Sequence, residues 1–503
     1  MIKGWTGKRL RIDLGFQKAW VEDIALADLR QWFGGRGLNA SFFVQHFPSP
    51  ISPASPENPV AFAAGPLTGT LAPASGWTSI ASISPILDPP RYGITRMAGH
   101  FGASLKGAGF DQCIIQGRAN RPVYLWIDGE EVKFEKADHL WGKETTGTSV
   151  AIQEEKADRS VEVLCIGPAG ERRLPFANAI HRLSWTGDHL GLGYLFGVKQ
   201  LKAIAIRGKK PITLHDPQRF LNLCLGLKDR IQKDRKIRRL RESGAFSLLE
   251  REGGVMMKQG TGRLPFGSEK QWAISLRTHV SGRQSCFSCP VHCGVNIEYQ
   301  GGYFGGIHPE KAWHWGPRIG VYNGEWTLKL LRFCQTRGLD PFLAGSLLTR
   351  ILEGVETGPL SEEDLRQADG IEDQGEKAFF ILHRLIDSSR KEFDLVASRC
   401  PENEDLDVLA DILSFCLVVV NRLNLMTVSN MIDLVHAATG YALSKKELRD
   451  TIWNILQMES RLQNKQLHPT DESSLPHFGE GQISEILRKE EHHNESIIHG
   501  TAS

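Results

Sequence analysis

Apolar residues alternate with polar ones, or cluster in short runs between turn residues, throughout residues 1–208. "CIIQGRA", "VYLWIDG", "EEVKFEKA", "VEVLCIG" and "LKAIAIRG" carry that pattern. It predicts half-buried and buried β-strands. "ASLKGAG" predicts a short helix among them, and the strand texture stops at "GKKP", 208–211. Beyond it the apolar spacing turns helical. "DPQRFLNLCLGLKDRIQKDRKIRRLRES" (216–243) opens on Asp-Pro, a helix start. "EWTLKLLRFCQTRGLD" predicts a helix ending at Gly338, and "DPFLAGSLLTRILEGVETG" a second. "LADILSFCLVVVNRL", "VSNMIDLVHAATG" and "SKKELRDTIWNILQMESRLQNK" complete a helical half. The polar, His- and Glu-rich stretch after 465 reads as a docked extension and then a loose end. The expected fold is α+β: a β-rich domain over 1–208, then largely helical domains over 209–503. No internal repeat is visible.

A chain of 503 residues exceeds one simple core and implies two or three domains. With 60 Lys and Arg against 58 Asp and Glu, the net charge of +2 gives no global argument for nucleic acid or an anionic membrane. The longest apolar run, "LSFCLVVV" at 413–420, falls short of the ~20 residues of a membrane span. "MIKGWTGKRLRIDLG" lacks the apolar core of a signal peptide, so the expected location is the cytoplasm. Nine scattered cysteines do not read as a disulfide framework. In a reducing compartment a tight group of them points to metal or catalysis.

That group is "SCFSCPVHCGVNI", with Cys286, Cys289 and Cys293 in C-x2-C-x3-C order. The spacing suits three corners of a 4Fe-4S cube, with the fourth thiolate from a distant segment. Zinc sites usually show paired C-x2-C units or matching histidines, and only His292 lies in the loop. Zinc, or three reduced thiols without metal, remain the alternatives. Three Gly-rich stretches, 58–76, 96–111 and 187–208, offer backbone N–H groups to a phosphate or serve as turns. Gly191-x-Gly193-x-x-x-Gly197 misses the dinucleotide fingerprint by one residue and precedes a strand. His308, Glu310 and His314 are a weaker metal candidate, hemmed in by Pro309 and Pro317. The basic run at 228–241 reads as a solvated helix face, or as a dock for an acidic electron carrier. It lacks the aromatic interleaving of a nucleic-acid site.

Several stretches together resemble the tungsten-dependent aldehyde ferredoxin oxidoreductases, in family order over nearly the whole chain. They are "LRQWFGGRGLNA", "SPENPVAFAAGPLTGTLAPASG", "HFGASLKGAGFDQCIIQGRANRPVYLWI", "HLWGKETTGT", "IGPAGE", "GVKQLKAIAIRG", "CFSCPVHCG" and the late "TDESSLP". The resemblance implies a tungsten or molybdenum bis-pyranopterin beside a 4Fe-4S cluster. It implies oxidation of aldehydes to carboxylic acids with water as oxygen donor and ferredoxin as acceptor. The β-rich domain would cradle the pterins, and the helical domains would bring the cluster ligands. Cys286, Cys289 and Cys293 match the family's three clustered ligands. Cys416, in "DILSFC", matches its fourth, with Cys400 as the rival. Asp411 and Asp340 match pterin-facing aspartates, which make chemical sense because a carboxylate accepts two N–H bonds at once. Gly99, Gly102, Gly191 and Gly193 fall in the family's cofactor loops.

The departures define two functional expectations. Ser414 and Phe415 replace Gly and Leu before the fourth cysteine, and Trp77 replaces an arginine. Arg96 replaces an asparagine, and Asp188 and His189 enter the phosphate loop, where an aspartate repels phosphate. The helix that bears an intersubunit iron site in some members reads "KLLR" (329–332), so that iron is not expected. Between Asp340 and Cys416 no counterpart of the second pterin segment is found, and His383 reads as a packing or surface residue. The chain is therefore expected to be an aldehyde oxidoreductase with cluster and metal-pterin. The other expectation is a non-catalytic paralogue that keeps the cluster for electron transfer or scaffolding in a larger redox complex.

Overall fold

The computed structural model describes residues 2–47, 51–182, 185–243, 268–305, 309–355, 360–387, 405–417, 419–420 and 425–467. The first half holds two mixed six-stranded sheets. One runs β2 (Lys18–Asp23), β1 (Lys8–Asp13), β6 (Gln112–Gln116), β3 (Val60–Ala63), β4 (Thr78–Ser84), β5 (Arg91–Met97). The other runs β11 (Trp185–Thr186), β10 (Ala179–His181), β9 (Glu162–Ile166), β12 (Leu201–Arg207), β7 (Val123–Asp128), β8 (Glu131–Lys136). Each sheet contains one parallel pair, β1 with β6 and β7 with β12, and its other pairings are antiparallel. β7 and β8 join through Gly129-Glu130, with Gly129 at φ 59, the conformation a two-residue hairpin loop needs.

Alternation places Leu10, Ile12, Phe62, Ile80, Leu125, Leu164 and Ile204 in one core with the helices Phe101–Ala108 and Leu192–Val198. β3, β4, β9 and most of β12 are buried along their whole length, because helices cover their other faces. The helix Thr145–Glu155 packs its Ile152 in the core on one sheet's outer face, and Gly35–His46 contributes Phe42 and Phe43 to the core on the other's.

From Pro217 onward helices dominate, as the spacing predicts. Gly324–Arg337 is capped at one end by the Asn323 side chain and closed by Gly338 at φ 75. One further sheet breaks the helical half: β13 (Val280–Gln284), β14 (Gly294–Tyr299) and β15 (Gly302–Gly305), an antiparallel meander. A single hydrophobic cluster joins Trp32, Phe33 and Leu67 of the first half to Leu409, Leu413, Phe415, Met431 and Ile455 of the second. Cys289 and Cys416 lie inside that cluster, at the junction of the two halves.

Candidate metal centre

The three clustered cysteines occupy residues 285–293, the connection between β13 and β14. Pairing of Gln284 with Gly294 closes the loop at its base. Cys289 N–H donates to Cys286 O at 3.2 Å, and Ser288 and His292 take positive φ values of 54° and 51°. Those turns aim backbone N–H groups at sulfur. Gly99 hydrogen-bonds to the Cys286 sulfur, Val291 and His292 to Cys289, and Gly294 to Cys293. Phe287 N–H donates to Gly99 O at 3.0 Å, which docks the loop on the first sheet's rim.

Cys416 arrives from the other side. It follows the helix Asp405–Leu413, and its N–H donates to Ala74 O at 2.8 Å. Ser414 turns the chain at φ 63, the left-handed region that a glycine occupies without strain. Its hydroxyl accepts the Gly65 N–H at 2.7 Å, and Trp77 N–H donates to its carbonyl at 3.3 Å. A side chain on Gly65 would strike the Leu413 carbonyl carbon at 2.6 Å, so this turn is threaded against a bare backbone.

The two segments bring all four sulfurs together. Burial raises the thiol pKa of Cys286, Cys289 and Cys293, that of Cys293 to about 12. Charge on Cys416 raises all three further; Cys289 and Cys293 also raise Cys286, and Cys293 raises Cys289. Among the described residues no three or more His, Cys, Asp or Glu side chains are gathered tightly enough for one metal ion. Four thiols from two segments fit the donor set of a 4Fe-4S cluster, a set that structural zinc also takes. Cys400 and His308 lie outside the described residues, and nothing is described of the Glu310 side chain. His314 lies beside Phe342, ring centroids 5.0 Å apart. His383 packs between Phe333 and Phe379 at 4.5 and 4.8 Å.

Beside the cysteines lies a buried charge network that the sequence did not reveal. Asp411 Oδ2 faces Arg36 Nη1 at 3.4 Å, and its Oδ1 faces Arg96 Nη1 at 3.3 Å. Arg36 also forms a two-point pair with Glu459, Nε to Oε1 at 2.7 Å and Nη2 to Oε2 at 2.5 Å. Burial alone would lower the Arg36 pKa, but Glu459 and Asp411 outweigh it and hold the guanidinium charged. Arg96 reaches Asp407 at 3.8 Å and lies 5.9 Å from the centroid of the Trp77 ring. The buried Trp77 Nε1 has no hydrogen-bond partner among the described residues.

Asp340 is fully buried. One oxygen caps the helix Pro341–Leu352 through Phe342 and Leu343 N–H at 3.0 and 3.1 Å. The other accepts from His189 N–H at 2.7 Å and Asn178 Nδ2 at 3.4 Å. Those donors occupy the ~4 lone-pair positions a carboxylate has. Burial, then the neighbouring Asp188, raises its pKa. Asp188 is itself paired with Lys311 at 3.2 Å. A Cβ on Gly99, Gly102, Gly191 or Gly193 would meet Trp185, Thr78, Pro85 or Asn178 within 2.5–2.6 Å. These glycines allow close protein packing. For a pterin, the fit is poor: each Asp411 oxygen faces a guanidinium, and Asp340 is occupied by its own fold.

Two family models match the chain. The aldehyde ferredoxin oxidoreductase N-terminal domain covers residues 9–208, and domains 2 and 3 of the same enzymes cover 227–393. The tungsten-containing aldehyde ferredoxin oxidoreductase of Pyrococcus furiosus is 31% identical over 383 residues, 73% of this chain and 61% of that protein. The Pyrococcus abyssi counterpart is 32% identical over 72% of this chain and 60% of its own length. The chain thus matches about three-fifths of the length of these relatives. The WOR-like subunit of an aliphatic sulfonate oxidoreductase from Pyrococcus furiosus is 27% identical over 76% of this chain and 64% of that one. Among solved structures, the active site complex BamBC of benzoyl coenzyme A reductase shares the fold. Its TM-score is 0.78 at 19% identity, over 93% of this chain and 90% of that one. Ordered matches along both halves, on this fold, make the chain a divergent member of the aldehyde ferredoxin oxidoreductase family.

Proposed function

We propose that this chain carries a 4Fe-4S cluster on Cys286, Cys289, Cys293 and Cys416 and serves as an electron-transferring subunit of a cytoplasmic redox complex. The observation that carries the reading is the convergence of four thiols from two segments more than a hundred residues apart, with backbone N–H groups turned onto three of the sulfurs. When bound, such a cluster takes and gives electrons singly. The chain's own part is to hold four thiolates at fixed separation and to offset their charge with those N–H donors. Burying Cys289 and Cys416 in the hydrophobic junction keeps water from them. The partner is a ferredoxin or another electron-transfer protein. Two comparisons support assembly with other chains: one relative is a subunit, and the fold neighbour is a complex.

A second reading has the chain oxidise aldehydes to carboxylic acids at a tungsten or molybdenum bis-pyranopterin. The tungsten-containing relatives favour it. The engaged state of Asp340 and Asp411 opposes it. Anaerobic purification with metal analysis decides between the two. About four irons per chain without tungsten or molybdenum supports the cluster-only subunit. About one tungsten or molybdenum per chain, with aldehyde-dependent reduction of a viologen dye, overturns it.

A further inference from the structure

The cysteine loop opens on the surface through a cleft of about 340 Å³. Cys286 and Cys289 form part of its wall, so the cleft leads from the surface to the cysteine loop. The rim is apolar and basic. Leu71 and Leu225 border it and are 61% and 54% exposed, an uncommon state for large aliphatic side chains of this molecule. Lys228 and His292 complete the rim.

The helix Pro217–Lys233, which walls the cleft, and the helix Arg235–Ser243 after it concentrate positive charge. Residues 217–243 hold nine Lys and Arg against three Asp and Glu, in a chain whose net charge is only +2. Two of those three carboxylates are already engaged: Asp229 pairs with Lys233 at 2.8 Å, and Asp234 caps the helix Arg235–Ser243 through Lys236 N–H at 2.7 Å. Lys228, Arg235, Lys236, Arg238 and Arg241 are exposed. The charges of Arg241 and Lys228 both reach His292, inside the cysteine loop. Positive charge thus lies at the opening to the cysteine loop.

We propose that this cleft is the docking surface for an acidic one-electron carrier protein, with Leu71 and Leu225 as its apolar contact and Lys228 and Arg241 as its steering charges. The inference rests on the cluster reading above. A small apolar centre within a charged rim is the anatomy of a transient protein interface. Complementary charge raises the rate of encounter there by ~10–1,000-fold and makes it sensitive to salt. The transfer is of one electron, from the reduced carrier to the cysteine-bound cluster, and no atom changes hands.

The test mixes the anaerobically purified, iron-loaded chain with a reduced acidic ferredoxin as probe and follows cluster bleaching by stopped flow. The second-order rate is expected to fall about tenfold or more between low and high ionic strength. It is expected to fall by a similar factor in Lys228→Glu/Arg241→Glu, and several-fold in Leu225→Ser through weaker complex formation. Lys133→Glu, on the distant β8, should leave it unchanged. Iron content and the spectrum of the reduced cluster, measured on every variant, show that the site itself is intact. About four irons with a rate indifferent to salt and to both cleft variants overturns the docking surface alone. Less than one iron per chain overturns the cluster, and the docking surface with it.

Discussion

Ser414 illustrates how a single residue absorbs a departure from its family. At φ 63 a side chain costs ~1–2 kcal/mol relative to glycine. The serine offsets much of that, because its buried hydroxyl accepts the Gly65 N–H, a bond that contributes ~1 kcal/mol. Ser414→Gly should therefore leave stability within about 1 kcal/mol of the parent, since strain and hydrogen bond leave together. Ser414→Ala keeps the strain and leaves the Gly65 N–H only its longer bond to Thr68 Oγ1 at 3.2 Å, so it should cost ~1–2 kcal/mol. Chemical denaturation of the two variants checks the pair, and equal losses would remove the hydroxyl from the account. Two residues on, Cys416→Ser should lower iron per chain and cluster stability, whereas Cys400→Ser should not. The reverse result in anaerobic iron analysis would reassign the fourth ligand.

At the scale of elements, what was legible in the sequence followed from periodicity. β7, β8, β9 and β12 repeat or cluster their apolar residues, and Gly324–Arg337 ends on its glycine, so pattern alone locates them. β13 and β15 were not legible. "VSGRQ" and "GYFG" have little alternation, and their strands exist because each pairs with a neighbour to close the cysteine loop. The three loop cysteines stood out by spacing, whereas the position of Cys416 beside them depends on a fold that spacing does not encode. The Arg36–Asp411–Arg96 network was illegible for the same reason: its members lie 36, 96 and 411 residues along the chain. The helix Phe101–Ala108 holds a further such group. Its Lys106 is fully buried and donates to the carbonyls of Gly4, Gly65 and Pro66 at 2.6, 3.1 and 3.1 Å, beside Asp111 at 3.5 Å. That one ammonium ties the chain's beginning and the Gly65 loop, which supports Ser414, to this helix. Lys106→Met strands the Gly4 and Pro66 carbonyls, leaves Gly65 O only the Thr68 N–H at 3.3 Å and Asp111 without its cation, so it should cost ~3–5 kcal/mol. A urea midpoint close to the parent's would show that the cavity relaxes or admits water.

For the whole molecule, the two sheets enclose ionisable groups whose burial makes stability depend on pH. His181 of β10 is fully buried, its Nδ1–H donating to Val163 O at 3.1 Å while Nε2 accepts from His100 N–H at 3.4 Å. Burial first, then the positive charge of Arg182, lowers its pKa to about 3 from 6.5. The neutral ring thus uses both nitrogens, one as donor and one as acceptor, and protonation would remove the acceptor. With the folded value below the unfolded one, the unfolded chain binds the extra proton between those limits. The contribution is fully present above pH 6.5 and is lost as pH falls toward 3. Glu162, beside it and paired with Arg182, has a pKa raised by burial and acts in the opposite sense, favouring the folded state as it takes up a proton. The His181 contribution itself should fall between pH 6.5 and 4, with Glu162 offsetting part of it. His181→Gln keeps a donor for Val163 and cannot titrate, so its denaturation midpoint should be lower at pH 7.5 but change less on acidification. Parallel pH profiles for parent and variant would assign the acid sensitivity to other groups and leave His181 as a packing residue between the sheet and Trp185, its stacked neighbour at 5.6 Å.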